Sequence, residues 1–260
     1  MPLVLPSADL TLAPTVGPLV RSVSPESGGG SLRRALNEIA GRGFAAVQLD
    51  ATLAGIRPRD LSRTGRKDLG ALLMRSGLRL AGLDLFIPRQ EFTDPARLDR
   101  AMAAALGAIE LAADLGRVPL SLALPVRDLA ADARATLVEA ADGRSIRLAV
   151  HAEDQLEDLT QWLASADHAV LGAGLDPAAL LSRQIVPDKV VHHLAPHLTV
   201  ARLCDCSADG LRCPVGKGEL PLLNYRIALQ LAQNRAGPVV LDLRGLETPL
   251  PAAITALRAW

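Results

Sequence analysis

Three of the chain's five histidines and all three of its cysteines fall between His192 and Cys213, in HHLAPHLTVARLCDCSADGLRC. Histidine and cysteine at short spacing are the residue types that ligate zinc. A β-like run, LTVARLCD (198–205), separates the two groups. His192, His193 and His197 lie before or at its start, Cys204 and Cys206 share one face at its far end, and Cys213 follows in a loop. Six strand residues at about 3.3 Å each put the two groups roughly 20 Å apart, too far for one ion. The cysteines alone offer three ligands and no Cys-x-x-Cys pair. The segment therefore reads as free thiols and surface histidines.

A second polar set is spread along the whole chain. Gln48 and Asp50, Asp84 and Arg89, His151 and Glu153, Asp176, Arg202 and Asp205, and Asp242 and Arg244 each sit at the C-terminal end of a short apolar run. Polar side chains cost free energy when buried without partners. Their repeated placement at one end of such runs predicts a polar mouth over an aliphatic interior.

The elements that must position them are legible. Eight β-like runs cover residues 10–14, 45–50, 78–87, 118–125, 146–153, 169–177, 198–205 and 238–245, mostly bounded by Gly, Pro or charge. Helical stretches lie between them. SLRRALNEIAGRG opens on Ser31 and ends on glycine, and DPARLDRAMAAALGAIELAADLG carries Asp94 as N-cap and Pro95 at its first turn. LEDLTQWLAS, DPAALLSRQ, PDKVVHHLAPHL, PLLNYRIALQLAQNR and LPAAITALRAW follow. Eight strands alternating with helices over this length predict a single-domain (β/α)8 TIM barrel spanning 1–260. A doubly wound sheet is the runner-up, but no Gly-x-Gly-x-x-Gly follows the first strand. GGGS (28–31) lacks the Lys-Ser/Thr ending of a phosphate loop and reads as a flexible connection.

Composition excludes several function classes. Basic and acidic residues balance at 28 each, which gives no electrostatic reason for a nucleic-acid or anionic-membrane partner. The start, MPLVLPSADL, has no basic region ahead of an apolar run, and no uncharged apolar stretch is long enough to span a bilayer. A soluble cytoplasmic protein is expected. Aromatic residues make up 2% of the chain, so the core must be aliphatic.

The pieces GFAAVQLD, GLDPAALL, ARLCDCSADG with PVGKGELPL, and PVVLDLRG resemble, in order and spacing, the xylose isomerase-like TIM barrels, also called sugar phosphate isomerase/epimerases. The resemblance implies a divalent metal, Mn or Mg, held by carboxylates and a histidine at the C-terminal barrel mouth. It also implies two acid/base carboxylates that move a proton through an enediolate. Carried over by position, the ligand after strand 6 is Asp176, and the strand-8 glutamate becomes Asp242. The strand-5 glutamate becomes His151, or Glu153 after a shift of two, and strand parity leaves both open.

Other positions depart from the pattern. The strand-7 histidine becomes Arg202, the histidine three residues after Asp176 becomes Ala179, and the strand-2 glutamate becomes Gln48. A guanidinium is always charged and cannot coordinate a metal, so Arg202 would repel a divalent cation.

On the resemblance, Asp176, Asp242 and His151 form the metal set, and Glu153, His151 and Asp242 the catalytic set. Arg202, Lys217, Asp205 and Gln48 would contact a carbohydrate or an anionic metabolite. The plainer reading of Lys217, and the favoured one, is a solvated loop residue, and Asp205 reads also as an organiser of the mouth. Asp84 and Arg89 are expected to pair. Two functions follow: a sugar (phosphate) isomerase or epimerase, or a metal-free protein of the same fold that binds a metabolite or a partner protein. Metal-dependent phosphoester hydrolases of this fold need more His and Glu ligands and a basic face.

Overall fold

The structure is a computed structural model that describes residues 10–23, 29–165, 169–232 and 237–260. The segment read above for a leader, 1–9, and Gly28 of GGGS lie outside the described residues.

The apolar runs become eight parallel strands: β1 (Leu12–Pro14), β2 (Ala46–Asp50), β3 (Arg79–Leu85), β4 (Leu120–Ala123), β5 (Leu148–His151), β6 (Leu171–Leu175), β7 (Leu198–Leu203) and β10 (Val239–Leu241). A two-stranded antiparallel hairpin, β8 (Asp205–Cys206) and β9 (Arg212–Cys213), follows β7. The order β1-β10-β7-β6-β5-β4-β3-β2 closes through a parallel bridge between Thr15 and Gln48. Parallel neighbours need long crossovers. These are built by α1 (Val16–Val23), α2 (Gly29–Gly41), α3 (Arg63–Arg75), α4 (Leu98–Asp114), α5 (Ala131–Arg144), α6 (Leu156–Ser165), α7 (Pro177–Leu181), α8 (Pro187–Leu194), α9 (Leu222–Leu231) and α10 (Pro249–Ala259). This is the (β/α)8 TIM barrel expected from the sequence.

Period-2 alternation sorts the strand residues. Large side chains such as Leu49, Leu83, Leu122 and Val150 join the main core shared with the helices. The barrel interior takes small ones, in the clusters Ala13–Ala46–Ala81 and Ala149–Val200–Val240. Truncating a leucine in the main core, Leu83→Ala for instance, is expected to cost about 2–5 kcal/mol. Farther along the same inner faces the residues turn polar, and the register aligns them. Asp50 lies opposite Asp84, Asp84 opposite Ser121, and Val240, two residues before Asp242, opposite Arg202.

Three boundaries differ from the sequence reading. The long fourth helix begins at Leu98, because Asp94 Oδ1 accepts from the Ala96 N–H and caps a turn ahead of it. Gly29–Ser31 are the first turn of α2, not a flexible connection. The seventh strand ends at Leu203, and the chain re-forms as a hairpin from Asp205. Among the described residues, no helix is long and apolar enough to cross a membrane.

Candidate functional site

Arg202 is the central cation of the barrel mouth. β7 projects it inward, 5% exposed, and the Tyr225 hydroxyl of α9 pins its backbone by donating to the Arg202 carbonyl at 2.7 Å. Its Nη2 donates to Asp84 Oδ1 at 2.9 Å and its Nη1 to Asp242 Oδ2 at 3.2 Å, with Asp176 Oδ2 at 3.9 Å. Two more arginines complete the cluster. Arg212, on β9, donates from Nη1 to Asp242 Oδ2 at 3.0 Å and from Nη2 to Asp176 Oδ2. Arg244, after β10, reaches Asp84 Oδ2 at 3.1 Å and Asp242 Oδ1 at 2.9 Å, and its guanidinium lies over the exposed Phe86 ring, 4.6 Å from the centroid. Three guanidinium groups therefore interlock with three carboxylates. The expected Asp84–Arg89 pair is not formed: Asp84 is taken by Arg202 and Arg244, and Arg89 pairs with Asp154.

Burial and competition split the carboxyls. Burial alone would lift Asp176, but Arg212 and Arg202, with the Cys204 thiol donating, outweigh it and bring its pKa down to about 2. Asp242 goes the other way. Burial lifts it to about 6, and Asp176 and Asp84 add to the rise against Arg212 and Arg202. The two share the same guanidinium groups, so the first ionises easily and the second with difficulty.

Asp176 also caps α7, where Oδ1 accepts from the Ala178 and Ala179 N–H at 3.1 and 3.2 Å and from Cys204 Sγ at 3.0 Å. Burial, with Asp176 adding, pushes the Cys204 thiol well above its ordinary value and keeps it a donor. The cysteines are free, and His192, His193 and His197 are exposed, as the spacing argument required.

His151 and Glu153 are both buried at the mouth and bond each other, Nδ1 to Oε1 at 3.0 Å, and the same Oε1 accepts the Asp176 N–H at 2.9 Å. Gly174 on β6 makes room for this ring, since a Cβ there would fall 2.2 Å from His151 Nε2. That nitrogen, the Ser121 hydroxyl, Arg202 Nε and both polar atoms of Gln48 are buried without a partner.

Two sequence candidates fall outside this constellation. Asp205 accepts from the N–H groups of Cys206, Gly216, Gly218 and Leu220 at 2.8–3.0 Å, so it organises the loop after β7. Gly218 must lack a Cβ there, which would fall 2.4 Å from Asp205 Oδ1. Lys217 is exposed on that loop. Conversely, Arg212 and Cys204 belong to the site although the sequence reading gave them no role in it, and Arg244, read only as part of the polar mouth, is one of its cations. The available signal was charge: three inward aspartates need more than one cation.

The chemistry of the donor set decides whether a divalent metal fits. Ligand atoms of Asp176, Cys204 and Asp242 lie within 4.8 Å of one another. However, Oδ2 of Asp176 and Oδ2 of Asp242 each face Arg202 and Arg212, and Oδ1 of Asp176 caps a helix. Oδ1 of Asp242 accepts from the Arg244 guanidinium, and the remaining group, the Cys204 thiol, is engaged as a donor to Asp176 Oδ1. As arranged, these residues do not fit a divalent cation.

The architecture defines a fold, the (β/α)8 TIM barrel, and solved structures of xylose isomerase-like barrels share it. A xylose isomerase domain protein from Planctomyces limnophilus superposes with a TM-score of 0.75 at 14% identity, over 98% of this chain and 96% of that one. A D-tagatose 3-epimerase-like protein gives 0.75 at 16% identity, over 95% and 96%. A xylose isomerase-like TIM barrel protein from Mycobacterium smegmatis, solved in complex with magnesium, gives 0.75 at 17% identity, over 95% of each chain. At these identities the likeness establishes the fold. No protein-family profile matches the chain, and no curated protein does.

Proposed function

We propose that this chain is a single-domain, metal-independent barrel that binds a small polar or anionic metabolite in the cytoplasm, without the metal-enediolate chemistry of sugar isomerases and epimerases. The observation that carries the reading is the guanidinium of Arg202, seated among Asp84, Asp176 and Asp242 and covered by Arg212. A resident cation already neutralises the carboxylates on which a divalent ion would depend. Binding is supported by the unpartnered Gln48 amide, Ser121 hydroxyl and His151 Nε2, since natural interiors rarely leave such groups without water or a ligand. The exposed Phe86 ring over Arg244 adds a stacking surface beside them.

The test is metal content. Protein purified without a histidine tag is subjected to elemental analysis and to thermal shift with Mn²⁺, Mg²⁺, Co²⁺ and Zn²⁺. No bound metal and no shift are expected. Near-stoichiometric metal, or a shift abolished by Asp176→Asn, would overturn the reading and restore the sugar isomerase or epimerase, with Asp242 and either Glu153 or His151 as its acid/base pair.

A further inference from the structure

Beside the mouth, a cleft of about 630 Å³ opens where β2 and β3 end, between the turn at Pro58, α3 and α4. Its volume falls within the range of small-molecule sites. Its wall carries four guanidinium groups, Arg57, Arg59, Arg66 and Arg100, against one carboxylate, Glu91. Asp60 and Asp114, outside the wall, lie beside Arg59 and Arg66 and offset two of these charges. A positive excess remains in a chain that is neutral overall.

Two of the arginines are unusual. Arg57 is half-buried, and its Nε donates to a carbonyl, that of Thr52, at 2.9 Å, instead of to a carboxylate. One of its five donors is used there, and among the described residues its charge meets no acid. Arg66 is also half-buried. It bonds Asp114 at 2.6 Å and the Pro58 carbonyl at 3.4 Å, yet its Nε is buried with no partner. A half-buried guanidinium without a counter-ion, next to one with an orphaned donor, is expensive unless something accepts from them. The rest of the wall is apolar, with Leu85, Ile87 and Ala104 facing the same space.

We propose that this cleft binds a small organic anion, in which a carboxylate or phosphate headgroup is held by Arg57 and Arg66 and an apolar body lies on Leu85, Ile87 and Ala104. Arg59 and Arg100, 73% and 68% exposed, attract the anion from the rim. The cleft shares no residue with the carboxylate–guanidinium cluster, so the inference stands whether or not the mouth takes a metal.

Isothermal titration of the full chain with phenyl phosphate and with benzoate tests it. At least one probe binds saturably, and which one binds more tightly identifies the headgroup. Arg57→Gln, whose amide can keep the bond to the Thr52 carbonyl, should weaken that probe about tenfold to a hundredfold. Ala104→Leu, at a half-exposed helix position, should weaken it by filling the apolar wall. Melting temperatures without probe confirm that both variants fold. Absence of saturable binding, equal affinity in Arg57→Gln, or inorganic phosphate binding as tightly as phenyl phosphate would overturn the proposal.

Discussion

Replacing Arg202 with methionine tests the central claim, that a guanidinium is the cation around which the mouth is built. Methionine keeps the unbranched apolar stem of arginine and ends where its Nε lies, so the substitution removes the charged head and leaves the stem's packing. Wild type has three guanidinium groups for three carboxylates, and the variant has two. Asp84 keeps Arg244 at 3.1 Å, and Asp242 keeps both Arg212 and Arg244, so the loss is partly shared out. Breaking a buried ion pair on one side costs about 3–5 kcal/mol, and the remaining partners place this case near about 3. At about 2–4 °C per kcal/mol for a chain of this size, the melting temperature should fall by roughly 6–12 °C.

The loss must also depend on pH. Asp242 already sits at about 6 and rises further once a guanidinium is removed. A carboxyl whose folded pKa is raised contributes stability at low pH that is lost as pH rises through that value. The variant should therefore lie close to wild type near about pH 5 and fall away toward about pH 8. Differential scanning fluorimetry across that range reads it directly. Mn²⁺ should stabilise the variant at the alkaline end, where it stands in for the lost charge, and a concentration of about 100 times Kd would restore about 2.7 kcal/mol. A loss independent of pH would refute the counter-ion argument, because lost packing alone carries no proton linkage.

Three further outcomes follow from the same geometry. Asp242→Asn removes the raised carboxyl, so the stability that wild type loses between the ordinary carboxyl range and about 6 should no longer be lost, and the gap between the two proteins narrows as pH rises. Equal pH profiles by chemical denaturation would contradict this. Gln48→Leu replaces a buried amide with no partner by an apolar group of similar size, and should be neutral or stabilising by about 1 kcal/mol in urea unfolding; a loss above that would show that Gln48 is satisfied in solution. Asp205→Ala strips the acceptor from four backbone N–H groups. Exchange of the Gly216, Gly218 and Leu220 amides should accelerate while the amides of β5 and β6 stay protected, at a cost of about 3 kcal/mol.

The strands were legible because period-2 runs such as AAVQLD and LRLAGLDLF state both an element and which face is buried. Asp176 was legible twice, as an aspartate ahead of a proline that opens a helix and as a group at a strand end. The choice between His151 and Glu153 dissolves in the structure: the two share a face, as parity said, and bond each other. Arg212 could not be placed from periodicity. It stands on a two-residue strand of a hairpin, and its contacts with Asp176 and Asp242, 36 and 30 residues away in sequence, are nonlocal facts. Lys217 has two readings in the sequence, a phosphate contact or, the favoured one, a solvated loop lysine; the flanking glycines let the backbone wrap Asp205, and the lysine between them is exposed.

An arginine at position 202, where the resemblance implies a ligand histidine, changes which reactions the mouth can support. A metal offers open coordination positions and polarises a carbonyl as a Lewis acid. A guanidinium offers hydrogen bonds in one plane, has no exchangeable position and never gives up its proton near neutrality. Here that plane is already engaged by Asp84 and Asp242, while Arg212 closes the Asp176–Asp242 edge. The group left with a proton to exchange near neutral pH is Asp242, at about 6, and the hydrogen-bonded His151–Glu153 pair shares the mouth with it. On the metal-independent reading proposed above, any activity at this mouth would persist in the presence of a chelator.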